Sequence, residues 1–212
     1  MLKYLIIPLL LILAACDNFT MASTPPTPVT PTISLNPAAW NFQYSPNMPA
    51  TPSPSTTGKW QFTFPAVDGV HYLVTGVNKL SGTTLTFAAE VNVSNPNVVF
   101  DYHTAADNTC PSPASVTPYM QRKGDQLLDS QPSYRSWGPR INITPGTLSA
   151  SVPIDYHSWG NVNGMQDQYG FNLLLGDLQA IGMTFGGGCF AGHGLFITGG
   201  VARFILKEFQ VK

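Results

Sequence analysis

Between Thr83 and Ser94 the chain alternates with a period of two. Leu85, Phe87, Ala89, Val91 and Val93 fall on one side, and Thr84, Thr86, Glu90 and Asn92 on the other. A helix cannot use that pattern, because its faces repeat every 3.6 residues, whereas a strand buried on one side requires it. The same period recurs over Lys59–Phe64, His71–Val77, Val98–His103, Val116–Gln121, Thr147–Tyr156, Ile181–Phe185, Leu195–Thr198 and Val201–Val211, and Gly, Pro, Asn and Asp clusters separate the runs. Many short strands punctuated by turn residues specify an antiparallel sandwich or barrel. The last run changes phase: Ala202, Phe204 and Leu206 alternate, then Phe209 and Val211 continue on odd positions, which predicts a bulge near Lys207. One helix is expected, since Phe171, Leu174, Leu175 and Leu178 recur at i, i+3, i+4 and i+7 with Gly176 among them. The fold class is therefore all-β, an antiparallel sandwich with one short helix.

The chain is expected to divide into three parts, 1–15, 16–58 and 59–212. Residues 16–58 hold nine of the nineteen prolines, are rich in Thr and Ser, and carry no charge after Asp17. Proline fixes φ and lacks a donor, so this stretch reads as a disordered Pro/Thr/Ser-rich tether, extended and solvated. Trp40, Phe42 and Tyr44 are its exception: alternation puts three aromatics on one side of an extended segment, to dock on the domain as an edge strand or to bind a ligand. Residues 59–212 form the single β-sandwich domain.

The first sixteen residues carry Lys3, an apolar run from Tyr4 to Leu13, then Ala14, Ala15 and Cys16. Crossing a bilayer takes about twenty apolar residues, roughly twice this run, and Pro8 interrupts it. A positive residue, a short apolar core and a small-small-Cys ending match an export signal. Leu13-Ala14-Ala15-Cys16 resembles the lipobox of bacterial lipoprotein precursors, and the resemblance implies that Cys16 is lipidated and becomes the mature N-terminus. Several acyl chains anchor a protein stably where one does not. The expected location is the bacterial cell envelope. Asp17 directly follows Cys16, and the resemblance to such lipoproteins, in which an Asp at that position favours retention, implies the inner membrane facing the periplasm over the outer membrane. Ordinary signal cleavage, or a start at Met21, is the alternative.

Only 10% of residues are charged, against about 25% in ordinary soluble domains, and Ser, Thr, Asn and Gln carry the polarity. The net charge of -1 supplies no field for nucleic acid. After export two further cysteines remain, Cys110 and Cys189; in an oxidising compartment they form a disulfide or stand as separate buried thiols.

Candidate chemistry is sparse. Asp101-Tyr102-His103 and Asp155-Tyr156-His157 repeat one tripeptide at two strand ends, and period two puts Asp and His of each on one face. On adjacent strands, Asp101, His103, Asp155 and His157 would suit a transition metal or an acid–base pair; otherwise they are ordinary polar strand ends. Asn161, Asn163 and Asp167 offer oxygen ligands of the kind calcium takes, or simply a solvated loop. His193 sits in the glycine-rich stretch from Gly186 to Gly194, where a tight corner explains the glycines. The chain has no Gly-x-Ser-x-Gly elbow, no cysteine placed for nucleophilic catalysis, and only Glu90 and Glu208 as glutamates, all of which argues against an enzyme. Asp101, Asp155 and Asp167 remain for a glycan-active alternative. Tyr134, Arg135, Trp137 and Trp159 lie beside polar loops; aromatic faces stack on sugar rings and guanidinium donates to hydroxyls, so these four are the candidate ligand surface, with core packing as the competing role.

The run Ile181–Phe185, Gly186-Gly187-Gly188, His193-Gly194 and the closing strand Ala202–Val211 looks like the end of a jelly-roll domain. So does Ser151–Gly164, with Val152, Pro153, Trp159 and Gly164. The wider class is the galactose-binding-like and carbohydrate-binding-module sandwiches, over residues 59–212. That resemblance implies a jelly-roll-like fold, a glycan or envelope partner protein as ligand, or an assembly role. It implies no cofactor beyond a structural calcium ion.

Overall fold

The long alternating run becomes the spine of one of two facing sheets. In the computed structural model, which describes residues 33–102, 112–187 and 192–212, the strands are β1 (Trp40–Gln43), β2 (Ser53–Pro54), β3 (Trp60–Thr63), β4 (Tyr72–Gly76), β5 (Thr84–Val93), β6 (Val99–Asp101), β7 (Ser115–Arg122), β8 (Arg135–Trp137), β9 (Ile141–Asn142), β10 (Gly146–Pro153), β11 (Leu178–Gly186), β12 (Phe196–Thr198) and β13 (Ala202–Val211). One helix, α1 (Gln168–Gly176), interrupts them. Cys16, His103, Cys110 and Cys189 lie outside the described residues.

All ladders are antiparallel. One sheet runs β1-β4-β11-β7-β8 with β9 on β7, the other β10-β5-β13-β3-β2. The pairs β3 with β13, β4 with β11, β5 with β10 and β7 with β8 nest inside one another, as when a long hairpin folded between β7 and β8 is rolled into two sheets. That is the eight-strand wrapping of a jelly roll. β1 and β2 extend the two sheets, and β6 and β12 form a separate ribbon.

Phe185 from the first sheet meets Phe62 and Phe204 of the second edge-on, with centroids 5.6 Å away in both cases. Trp40 lies against Trp60 at 5.0 Å and Phe209 at 5.2 Å. These rings, with Leu73, Leu85, Phe87, Ile181 and Leu206, form one continuous core. The bulge falls between Leu206 and Glu208, and Lys207, turned outward there, reaches Glu90 at 2.6 Å.

Three local expectations are revised. The helix starts earlier and ends sooner than its apolar repeat implies: the Asp167 side chain caps it by accepting from Gly170 N–H, and Leu178 opens β11 instead of closing a third turn. Residues 33–58, assigned to the tether by composition, belong in large part to the domain. Trp40 is fully buried and its indole donates to Ser34 O, so aromatic burial outweighs proline content there. Tyr44 leaves the side shared by Trp40 and Phe42, since its φ of 54° turns the chain and presents the ring to solvent.

Candidate functional site

In the first sheet Leu73, Ile181, Met183, Phe185, Met120 and Val116 point into the core. The residues between them must face outward. Cross-strand register aligns Tyr72 with Thr184 and Thr184 with Thr117, then Val74 with Gly182, Gly182 with Tyr119 and Tyr119 with Trp137, and finally Ala180 with Gln121 and Gln121 with Arg135. Aromatic rings line this outer face. Tyr44 and Tyr72 have centroids 6.0 Å apart, Tyr72 and Tyr119 5.1 Å, and Tyr119 and Trp137 5.4 Å, so four rings touch in sequence across the sheet.

The chain after β7 folds back over part of this face. Asp125, with no exposed side-chain surface, accepts from Gln121 Nε2 and Leu127 N–H and lies 3.5 Å from Arg135 Nε. Arg135 also donates to Leu128 O at 2.7 Å and sits over the Trp137 ring at 5.8 Å. Burial pushes the phenols of Tyr72 and Tyr119 above the usual tyrosine range; the Arg135 charge opposes this without reversing it.

Beside the covered part opens a cleft of about 990 Å³, lined by Tyr72, Thr117, Arg135 and Trp137 on the sheet. Its rim comes from Pro139 and Arg140 after β8, from the turn between His157 and Gln166, and from Asp129 and His193. That turn is pinned to the sheet by reciprocal backbone bonds between Trp137 and Gly160, each 2.9 Å, and by Ser136 Oγ donating to Gly160 O. Asn161 Oδ1 accepts from Asn163 N–H and Met165 N–H, closing the rim on itself.

Of the four residues proposed as a ligand surface, Arg135 and Trp137 stand two apart on β8 and share this face. Trp159 touches the cleft by its edge only: it is 2% exposed, its indole donates to Pro153 O, and it packs near Phe171. Tyr134 is absent from the cleft lining and lies under the Arg122 guanidinium at 4.7 Å.

The two Asp-Tyr-His segments are not on neighbouring strands. Asp101 ends β6, which pairs only with β12, whereas β10 stops at Pro153 and Asp155 starts a turn. Asp155 Oδ1 accepts from His157 N–H and Ser158 N–H, so it holds the turn, and His157 reaches the cleft rim. No group of three His, Cys, Asp or Glu side chains converges among the described residues, and His103 is outside them. The oxygens considered for calcium also have backbone duties, Asn161 in its turn and Asp167 at the helix cap.

Sequence reading overlooked Tyr72, Thr117, Tyr119, Asp125 and Thr184. Alternation alone marks four of them as outward-facing. What sets this face apart is that it carries Tyr, Thr, Gln and Trp where a solvated sheet carries charge.

An antiparallel jelly roll with an aromatic-floored cleft on the outer face of one sheet is thus the class of protein the fold and site define. No protein-family model, curated protein or solved structure matches the chain.

Proposed function

We propose that the chain is a lipid-anchored protein of a bacterial envelope whose jelly-roll domain binds a glycan in the cleft over Tyr72 and Trp137, without catalysis. The observation that carries this is the pair of rings on the cleft floor, Tyr72 and Trp137, packed on either side of buried Tyr119 and set beside amide and hydroxyl groups from Ser158, Asn163 and Gln166. Flat aromatic faces paired with neutral hydrogen-bonding side chains suit sugar rings, which have an apolar face and a polar edge. A large mixed cleft is the usual form of a small-ligand site.

The anchor rests on Lys3, the apolar run and Cys16. Among the described residues no helix is long and apolar enough to cross a membrane. On this reading Cys16→Ser releases the protein from membranes and abolishes uptake of labelled fatty acid; a variant that still pellets with membranes refutes the anchor.

Glycan-array and peptidoglycan pull-down experiments test the binding function. Trp137 is half-buried at the cleft, so Trp137→Ala is expected to remove binding while leaving most of the core intact. Wild-type protein that retains no glycan but crosslinks to one dominant envelope protein would replace the glycan with a protein partner.

A further inference from the structure

Seven buried side-chain nitrogen or oxygen atoms have no hydrogen-bond partner among the described residues, and four lie on the outer face just described: Thr184 Oγ1, Tyr119 Oη, Trp137 Nε1 and Arg135 Nε. Arg135 has its ion pair with Asp125. The other three have no such compensation. A buried hydroxyl or indole N–H left unpaired costs free energy, and native proteins seldom keep one without a reason. Three on one patch call for a common reason.

Their placement supplies it. Thr184 is the cross-strand neighbour of both Tyr72 and Thr117, two residues of the cleft wall, so its side chain stands between theirs on the outward side of the sheet. Tyr119 lies between Tyr72 and Trp137 in the row of rings, and Trp137 itself lines the cleft. Tyr72 lines the cleft, adjoins Thr184 in the ladder and packs against the Tyr119 ring. Its phenol has Gly192 against it, where φ is 79° and a Cβ would come within 2.6 Å of Oη.

We infer that Thr184 Oγ1, Tyr119 Oη and Trp137 Nε1 form a subsite for the hydroxyl groups of an uncharged sugar ring, uncovered when the Tyr72 side chain rotates away. This rests on the glycan reading of the cleft and specifies its ligand. Two hydroxyls and an indole N–H give both donors and acceptors, as a sugar hydroxyl requires. All three are neutral, and Arg135, the cation packed against Trp137, is already matched by buried Asp125. The three atoms themselves add no cation for a carboxylated sugar, and the cleft rim carries Asp129. The ligand's hydroxyls supply the missing partners, so binding relieves a cost that the unliganded fold carries.

The test has one arm with ligand and one without. Thr184→Val and Tyr119→Phe delete a hydroxyl while keeping the shape. Both variants are expected to unfold at the same urea midpoint as wild type or a higher one, because an unpartnered polar atom is removed. Calorimetric titration with mixed-linkage glucan, galactomannan and xylan, and with polygalacturonate as the charged polymer, reads the second arm. Wild type is expected to bind at least one neutral polymer, and each variant to bind it roughly tenfold more weakly. A clear fall in midpoint for either variant overturns the inference, since the hydroxyl then has a partner in the fold. Unchanged affinity in both variants overturns the subsite but leaves the glycan function standing. Preference for polygalacturonate overturns the uncharged class. Wild type that binds none of the four polymers refutes the glycan function, and the subsite with it.

Discussion

Asp125→Ala is expected to be among the most costly single substitutions on the outer face of the first sheet. Asp125 has no exposed side-chain surface, Arg135 only 6%, and they lie 3.5 Å apart. Removing the carboxylate leaves the guanidinium with the Leu128 carbonyl and with Asp129, which is 4.0 Å away and 91% exposed. It also strips the partner from Gln121 Nε2 and from Leu127 N–H, both at 2.9 Å. Breaking a buried pair from one side costs about 3–5 kcal/mol, because the surviving charge stays desolvated. With a urea m-value of about 2 kcal/mol/M, the unfolding midpoint falls by roughly 1.5–2.5 M. Asp125→Asn keeps the shape and one acceptor, and is expected to cost about 1.5–3 kcal/mol, the range for a hydrogen bond to a charged group. The decisive comparison is the double variant Asp125→Leu with Arg135→Met. Replacing both charges by apolar groups removes the desolvation problem, so the double variant is expected to be more stable than Asp125→Ala alone. Equilibrium unfolding in urea, followed by tryptophan fluorescence, measures all three. A loss below about 1 kcal/mol for Asp125→Ala would match an exposed ion pair. The fold-back of the chain after β7, and with it the burial of the cleft floor, would then be wrong.

Trp40→Ala tests whether residues 33–58 belong to the domain: the ring is fully buried against Trp60 and Phe209, so a loss of about 3–5 kcal/mol is expected by scanning calorimetry, and a negligible change would return that segment to the tether. Stability is also expected to fall on the alkaline side. Folding raises the phenol pKa of Tyr72 and Tyr119, so the unfolded chain loses those protons first; their contribution is complete below about pH 10 and is lost as pH rises further, and urea midpoints at pH 8 and pH 11 should show the drop in wild type and a smaller one in Tyr119→Phe. A free-thiol assay on unreduced protein is expected to find Cys110 and Cys189 unreactive. Two reactive thiols would exclude the disulfide.

The strands were legible because each needs only a local pattern. All nine alternating runs become strands, and the phase change after Leu206 becomes a bulge at Lys207. Elements that depend on distant partners were not legible. β2 and β9 are two residues long, and β8, three residues long, is held by β7 on one side and Gly160 on the other, so none has a repeat of its own. Asp155 shows the limit for the site. Extending period two through Thr147–Tyr156 puts Asp155 and His157 on one strand face, but the strand stops at Pro153 and the Asp155 carboxylate turns back to the following N–H groups. Asp is strong in exactly that local role, and a side chain closing its own turn competes with the ladder.

Trp137 and Trp159 are equivalent by composition, each a tryptophan beside a polar loop, yet they divide between site and core. The difference lies in strand phase. Trp137 is two residues from Arg135 and directly opposite Tyr119, and so shares the outward face of β8. Trp159 follows a turn, sends its indole to Pro153 O and closes the core near Phe171. The same reasoning gives the low charge a structural meaning. Charged residues ordinarily occupy the solvent side of a sandwich strand, but here that side of the first sheet holds Tyr72, Thr117, Tyr119, Gln121 and Thr184, and its charged pair, Asp125 and Arg135, is buried. On the second sheet the outward positions of β5 and β10 hold Thr86, Ser149 and Ser151 with Glu90 among them. A surface built from hydroxyls and amides has weak fields, so a ligand is selected by the position of its hydroxyls and by ring contact, and not drawn in by charge. Binding through the first sheet should therefore be nearly independent of ionic strength between about 0.05 and 0.5 M salt, a range over which electrostatic attraction is progressively screened.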